Sequence, residues 1–298
     1  MGTPDYATII LKKLLEEKYN VVALYTQPDK PVGRKQVLTP PHIKKFCIDE
    51  QCDFPIHQPT TLKDQSVVDE ISSYEPDIII VAAYGQILPK SVLDIAPCIN
   101  LHASLLPQYR GASPIQQALL NDDEYTGVTS MLMDVGLDSG DILGLKYMKI
   151  PKDMVVSELF DELSKLAAHL TIETLQNFES IQPKKQNLSL VSHCGKVKKS
   201  DGEVDFSDAK KFYDRYRAYK SWPDIYLSSG LKIKECEFVE GDSMNKPAEI
   251  LEISKEDIVV GFEKGSVKIL MVQPASKKQM QVTDYIRGAR IELGDTFS

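Results

Sequence analysis

The spacing of apolar and polar positions switches repeatedly between two periods over the first 180 residues. Ala7, Ile10, Leu11, Leu14 and Leu15 recur at helical spacing, which predicts a helix over 6–18 capped by Thr3 or Asp5; an apolar run at 21–26 then reads as a buried strand. A helix over 42–51, a short strand over 54–58, a helix over 64–74 and the apolar run 77–83 (DIIIVAA) continue the pattern. Residues 98–102 (CINLH) form a shorter strand, with Asn100 and His102 on one face and Ile99, Leu101 and Ala103 on the other. A helix over 112–121, with Ser113 as cap and Pro114 at its first position, follows a loop containing Pro107 and Gly111. Strands over 127–133 and 142–150 flank the loop 134–141 (DVGLDSGD), and a helix over 155–178 carries Leu159, Leu163, Leu166, Leu170 and Leu175 on one side. Alternation of this kind predicts an α/β domain with a mostly parallel sheet covered by helices on both faces.

After residue 180 the pattern changes. Residues 181–200 are polar, basic and weakly periodic, the mark of a linker. A helix over 208–219 is followed by short strands at 225–227, 231–239, 248–254, 258–262 and 266–273, broken by Gly and Asp. That spacing suits a small antiparallel barrel or sandwich. The expected organisation is therefore a catalytic domain at 1–180, a basic linker at 181–200 and a second domain at 201–298. The opening breaks the rhythm, because the turn Gly2-Thr3-Pro4 leads into a helix and then a strand, a βαβ unit lacking its first strand. The expectation is that one strand of about five to eight apolar, β-branched residues belongs ahead of Met1.

Composition narrows the class. No apolar run approaches the ~20 residues that span a bilayer, and the opening has no basic region ahead of an apolar one, so a cytoplasmic location with no membrane partner is expected. Five cysteines (47, 52, 98, 194, 236), odd in number and never spaced Cys-x-x-Cys, read as reduced structural thiols with no metal site. A net charge of −8 argues against a surface that binds nucleic acid everywhere. Two local patches run against that balance. Residues 29–45 hold Lys30, Arg34, Lys35, Lys44 and Lys45 against one acid, in a loop (27–41) that Pro28, Pro31, Gly33, Pro40 and Pro41 keep from forming a long element. Residues 182–200 hold Lys184, Lys185, Lys196, Lys198 and Lys199 with no acid. Both are candidate polyanion contacts, although a solvated linker is also lysine-rich.

Asn100, His102 and one aspartate from Asp134, Asp138 and Asp141 are the candidate chemical group. An acyl-type transfer needs a donor for a tetrahedral oxyanion, a base for the proton of an attacking amine, and a carboxylate to orient that base. With no Ser or Cys nucleophile in the set, it points to direct transfer between two bound substrates. The plainer reading makes His102 a hydrogen-bonded structural residue and the aspartates turn residues. A second polar group on the same strand face weighs against it, because unpaired polar groups cost stability unless they bond something. The other histidines (42, 57, 169, 193) form no cluster, and Gly2-Thr3-Pro4 is not a dinucleotide motif.

INLHASLLPQYRGASPIQQAL followed by LDSGDIL closely resembles the folate-dependent formyltransferases, as do MGTPDYA, TQPDKPVGRKQ with LTPP, VAAYGQILP, and SWP at the head of the second domain. The resemblance covers essentially the whole chain. It implies a Rossmann-like amino-terminal domain and an OB-like barrel at the carboxyl end, with 10-formyltetrahydrofolate as donor and the methionyl amine of initiator tRNA as acceptor. Its Asn-x-His matches Asn100 and His102, and its Leu-Asp-x-Gly selects Asp138. Ser104, Leu105, Leu106 and Pro107 match the segment that contacts folate, and Gly85, Gln86, Ile87 and Leu88 the pterin side of the pocket. Arg34, with Lys35 beside it, matches the basic residue presented to the tRNA acceptor end, and Lys196, Lys198 and Lys199 would add phosphate attraction. The family's strand ahead of Met-Gly-Thr-Pro is absent here.

Enzymes that share Asn-x-His and Asp but formylate a small amine, or hydrolyse the folate, would need neither the basic loop nor the basic linker. A catalytically silent RNA-binding protein would not need the intact set of Asn100, His102 and Asp138. The expectation is a monomeric enzyme that formylates a charged tRNA.

Overall fold

The computed structural model describes residues 1–33, 35–241 and 243–298. The chain divides into two compact units: Met1–Pro114 with Tyr125–Lys149 and Phe160–Gly195, and Ile115–Glu124 with Ile150–Leu159 and Lys196–Ser298.

The first unit is α/β. Its four-stranded sheet runs in the order Ile79–Val81, Cys98–His102, Tyr125–Leu132, Ile142–Lys149. The first pair is parallel, as expected, whereas the next two are antiparallel. The sheet is thus mixed rather than mostly parallel. A parallel return needs a crossover of a dozen or more residues, and the short loop after Leu132 can only bring the chain back antiparallel. Helix Val156–Asn177 approaches closely enough that a Cβ on Gly144 would lie 3.4 Å from Leu170 Cδ1.

A second, parallel pair joins Leu24–Tyr25 to Ile56–His57. Between this pair and the four-stranded sheet lies a cavity of about 530 Å³, lined by Leu11, Leu14, Val21, Ala23, Ile78 and Ile80 among others. The first two residues of the chain sit at one end of it. Gly2 N donates to Tyr25 O at 3.0 Å, Ala82 N donates to Met1 O at 2.9 Å, and the Met1 amine donates to Ile80 O at 2.6 Å. Both flanking strands are thereby bridged for one step, in the manner of a strand lying between them.

The stretch 27–41, expected as loop throughout, contains a two-stranded ribbon of Lys30–Val32 against Val37–Thr39. Proline is tolerated in such an edge ribbon, where it need not donate to a ladder. Its apolar residues Val32, Val37 and Leu38 are exposed, so no burial pattern announces them as strands. At the ribbon's base Lys44 Nζ donates to both Asp29 oxygens at 2.9 Å and to Gln58 Oε1 at 2.7 Å. Arg34 lies outside the described residues.

The second unit is mostly β. Its antiparallel sheet follows the order Ile225–Tyr226, Lys232–Val239, Ser266–Gln273, Ile258–Gly261, Ile250–Ile253, with Met280–Gln281 also on Ser266–Gln273. Phe212, Phe262 and Phe297 are buried in this unit, with Phe262 about 5 Å from Phe212 between ring centres. Helix Val282–Ala289 was not expected, since VTDYIRGA contains two β-branched residues at its start and a glycine, all weak helix formers. Arg217 is buried, and its Nη1 donates to Asp122 at 3.0 Å and Asp214 at 3.2 Å within the same unit.

Candidate active site

Strand Cys98–His102 sits inside the four-stranded sheet, paired on both sides, so its side chains are held by two ladders. Asn100 lies opposite Met131 and His102 opposite Thr129. Both side chains are largely buried on one face. The loop 134–141 leaves the neighbouring strand beside Ile99 and folds back over that face. Of its three aspartates, Asp138 reaches the pair: Asn100 Nδ2 donates to Asp138 Oδ1 at 3.4 Å, and His102 Nδ1 lies 3.7 Å from Asp138 Oδ2. Asp134 instead builds the loop, with Oδ1 accepting from Gly136 N at 2.9 Å and Ser139 Oγ at 2.7 Å.

A backbone layer completes the cluster. Gly111 N donates to Asp138 Oδ2 at 2.8 Å, and strand Arg110–Gly111 pairs in parallel with His193–Cys194. A Cβ on Gly111 would stand 2.2 Å from Cys194 O, so only glycine lets these backbones approach. Gly140 is required in the same way, since its Cβ would fall 1.8 Å from Leu132 O. Tyr109, at φ +58, aims its carbonyl at His102 Nε2, 2.8 Å away. A carbonyl only accepts, so Nε2 carries a proton, and Nδ1 is turned toward Asp138. Burial pushes the Cys194 thiol up, with the Asp138 charge adding to it, and burial raises Cys98 to about 11. Both therefore stay protonated near neutral pH, unsuited to act as nucleophiles.

The other expected site residues divide by burial. Ser104 is fully buried, with Oγ donating to Gln108 O at 2.6 Å, and Leu106 and Pro107 are buried behind it. Leu105 is half-buried. Thr129 ties this segment to the sheet, donating to Ser104 O at 2.7 Å and accepting from Leu106 N at 3.0 Å. Across the adjacent strand end, Gly85 is exposed at φ +82, Gln86 donates to Pro59 O at 2.9 Å, Ile87 is 82% exposed, and Leu88 is buried in the core with Tyr84. Lys35 is exposed in the turn of the ribbon, and Lys196, Lys198 and Lys199 are exposed at the start of the second unit.

Gln186 is a participant that the sequence reading passed over. It lies in the expected linker, buried between exposed neighbours, and bonds both Arg110 and the Asp138 loop. A single glutamine among lysines carries no periodic signal. Thr129 was equally silent, being one more β-branched residue in a strand.

Two family models match this chain: formyl transferase over residues 1–175, and the formyl transferase C-terminal domain over residues 196–290. A methionyl-tRNA formyltransferase of a Nitratiruptor species is 56% identical over 297 residues, covering 100% of this chain and 98% of its own length. That of Sulfurimonas denitrificans is 53% identical with the same coverage. Among solved structures, an N-formyltransferase from Helicobacter canadensis, in complex with folinic acid and dTDP-3-aminofucose, superposes with a TM-score of 0.66 at 16% identity, over 91% of this chain and 97% of that one. At that identity the likeness is one of fold.

Proposed function

Because the chain belongs to the formyl transferase family, we propose that it transfers a formyl group from 10-formyltetrahydrofolate to the α-amino group of methionyl initiator tRNA. The observation that carries the chemistry is the convergence of Asn100, His102 and Asp138 beside thiols that burial keeps protonated. The tRNA acceptor rests on the full-length likeness to enzymes of that name, which a small-amine formyltransferase matches at fold level only.

In this reading the acceptor amine adds to the formyl carbon and forms the new C–N bond. Asn100 Nδ2 donates to the oxygen as it becomes an oxyanion, a role worth about 10²–10³ in rate for a single donor. His102 Nδ1 takes the proton from the attacking nitrogen, and Asp138 stabilises the imidazolium so formed. The C–N10 bond then breaks and the proton passes to N10, releasing tetrahydrofolate with no covalent adduct on the protein. Ser104 to Pro107 and Gly85 to Leu88 border the donor; with Ser104 and Leu106 buried, that border is formed by backbone and by Leu105 and Ile87. Arg34 and Lys35, with Lys196, Lys198 and Lys199, meet tRNA phosphates. We take the second unit as an OB-like barrel: its antiparallel order and the bulges between Ile233 and Cys236 are of the kind that curl a sheet. The enzyme works as a monomer in the cytoplasm, consistent with its free cysteines.

The test is transfer of labelled formyl from the folate donor to charged initiator tRNA, with charged elongator tRNA as control. Label on the initiator alone is expected. Label released as formate, or accepted by a nucleotide-sugar amine instead, would overturn the assignment.

A further inference from the structure

Gln186 sits between exposed Lys184 and Lys185 on one side and exposed Asn187 and Leu188 on the other, yet is itself only 7% exposed. An antiparallel bridge puts it there: Ile142 N donates to Lys184 O at 2.8 Å and Lys184 N to Ile142 O at 2.9 Å, at the exit of the Asp138 loop. Its amide is saturated. Nε2 donates to Asp138 O at 2.9 Å and Gly140 O at 2.8 Å, while Oε1 accepts from Arg110 Nε at 3.1 Å and Nη2 at 2.7 Å. The orientation is unambiguous, because a guanidinium only donates and a carbonyl only accepts.

These bonds close a ring. The Asp138 carboxylate is bonded to Gly111 N, Arg110 precedes Gly111, the Arg110 guanidinium holds Gln186, and Gln186 returns to the Asp138 carbonyl. Asp138 has φ +49, a conformation that a residue with a side chain keeps when its surroundings impose it. Both ends of Asp138 are thus fastened to strand Arg110–Gly111, one directly and one through Gln186. The geometry points to Gln186 as the positioning residue that holds Asp138 in register with His102 and Asn100, an inference resting on the role of Asp138 proposed above.

Supporting residues of this kind typically matter by 10- to 100-fold, and a misplacement of about 1 Å at a reacting centre costs about 100-fold. Gln186→Leu removes all four bonds at similar volume. Gln186→Glu keeps the acceptor for Arg110 but turns oxygen toward the two loop carbonyls, so it isolates the donors. Each change is made in the parent and in an Asp138→Asn background, with kcat, KM for folate and for charged tRNA, and melting temperature measured on folded protein. Both variants are expected to lose about 10- to 100-fold in kcat with KM nearly unchanged. In the Asp138→Asn background the further loss is expected to stay below about twofold, because the group being positioned is already disabled. Should Gln186→Leu fail to fold, Gln186→Glu alone carries the comparison. Parent-like kcat in Gln186→Glu, a loss confined to KM, or equal losses in both backgrounds would overturn the inference. Parent-like kcat in Asp138→Asn would overturn both this inference and the role given to Asp138. Loss in Asp138→Asn with none in Gln186→Glu would overturn this one alone.

Discussion

Asp138→Asn changes one atom and removes one charge. The carboxylate faces three groups: Gly111 N at 2.8 Å, Asn100 Nδ2 at 3.4 Å and His102 Nδ1 at 3.7 Å. If the substituted amide keeps its oxygen on Gly111, its NH₂ opposes the NH₂ of Asn100, donor against donor. The opposite flip places it against Gly111 N–H. Either way Asn100, the proposed oxyanion donor, is disturbed and the charge beside His102 is gone. Taking an effective dielectric of about 20, an imidazolium 3.7 Å from a carboxylate is stabilised by about 4 kcal/mol, roughly a thousandfold in rate. Asp138 retains some contact with solvent, its side chain being 12% exposed, so a loss of about 100- to 1,000-fold in kcat is expected, with both KM values within a few-fold of the parent. Single-turnover transfer of labelled formyl to charged initiator tRNA measures it. Asp134→Asn is the control, since the Asp134 oxygen that bonds Gly136 and Ser139 survives as an amide oxygen. Activity within tenfold of the parent in Asp138→Asn, or an equal loss in Asp134→Asn, would refute the reasoning.

Arg34→Ala is expected to weaken use of charged tRNA and to lower the log–log salt slope by about one unit, leaving folate KM alone; unchanged slopes would take Arg34 out of the phosphate contacts. Replacing Lys196, Lys198 and Lys199 together should lower affinity for initiator and elongator tRNA alike, as exposed charges do, and a change in selectivity would assign shape or base reading to that segment.

The strand Cys98–His102 and the meeting of Asn100 with His102 were legible because a two-residue period fixes which side chains share a face. The choice of Asp138 from three loop aspartates was not legible from spacing. It came from a resemblance; in the structure Asp134 bonds within its own loop, whereas Asp138 has positive φ and its carboxylate lies near Asn100 and His102. Direction of pairing was misread for a related cause. Alternating strand and helix implies parallel pairing, but Tyr125–Leu132 already runs antiparallel to Cys98–His102, and the short loop at 134–141 then returns Ile142–Lys149 antiparallel to it.

Within the candidate site, what stayed hidden is of one kind, namely polar residues that act by holding other residues. Gln186, Thr129 and the carbonyl of Tyr109 each satisfy a backbone or ring atom within the cluster. Periodicity reports which positions are apolar, and motifs report which residues meet substrate. A hydrogen bond between residues 48 apart, such as Gln186 to Asp138, obeys neither rule. Yet the cluster depends on these bonds physically. In the proposed mechanism His102 acts through Nδ1, since Tyr109 occupies Nε2, and the bond from Gln186 to the Asp138 carbonyl fastens the peptide that carries the facing carboxylate. A protein with Asn100, His102 and Asp138 in sequence but without those fastenings would present the same motif and a displaced carboxylate. The Gln186 variants, which leave all three motif residues intact, therefore ask whether the motif or its support sets the rate.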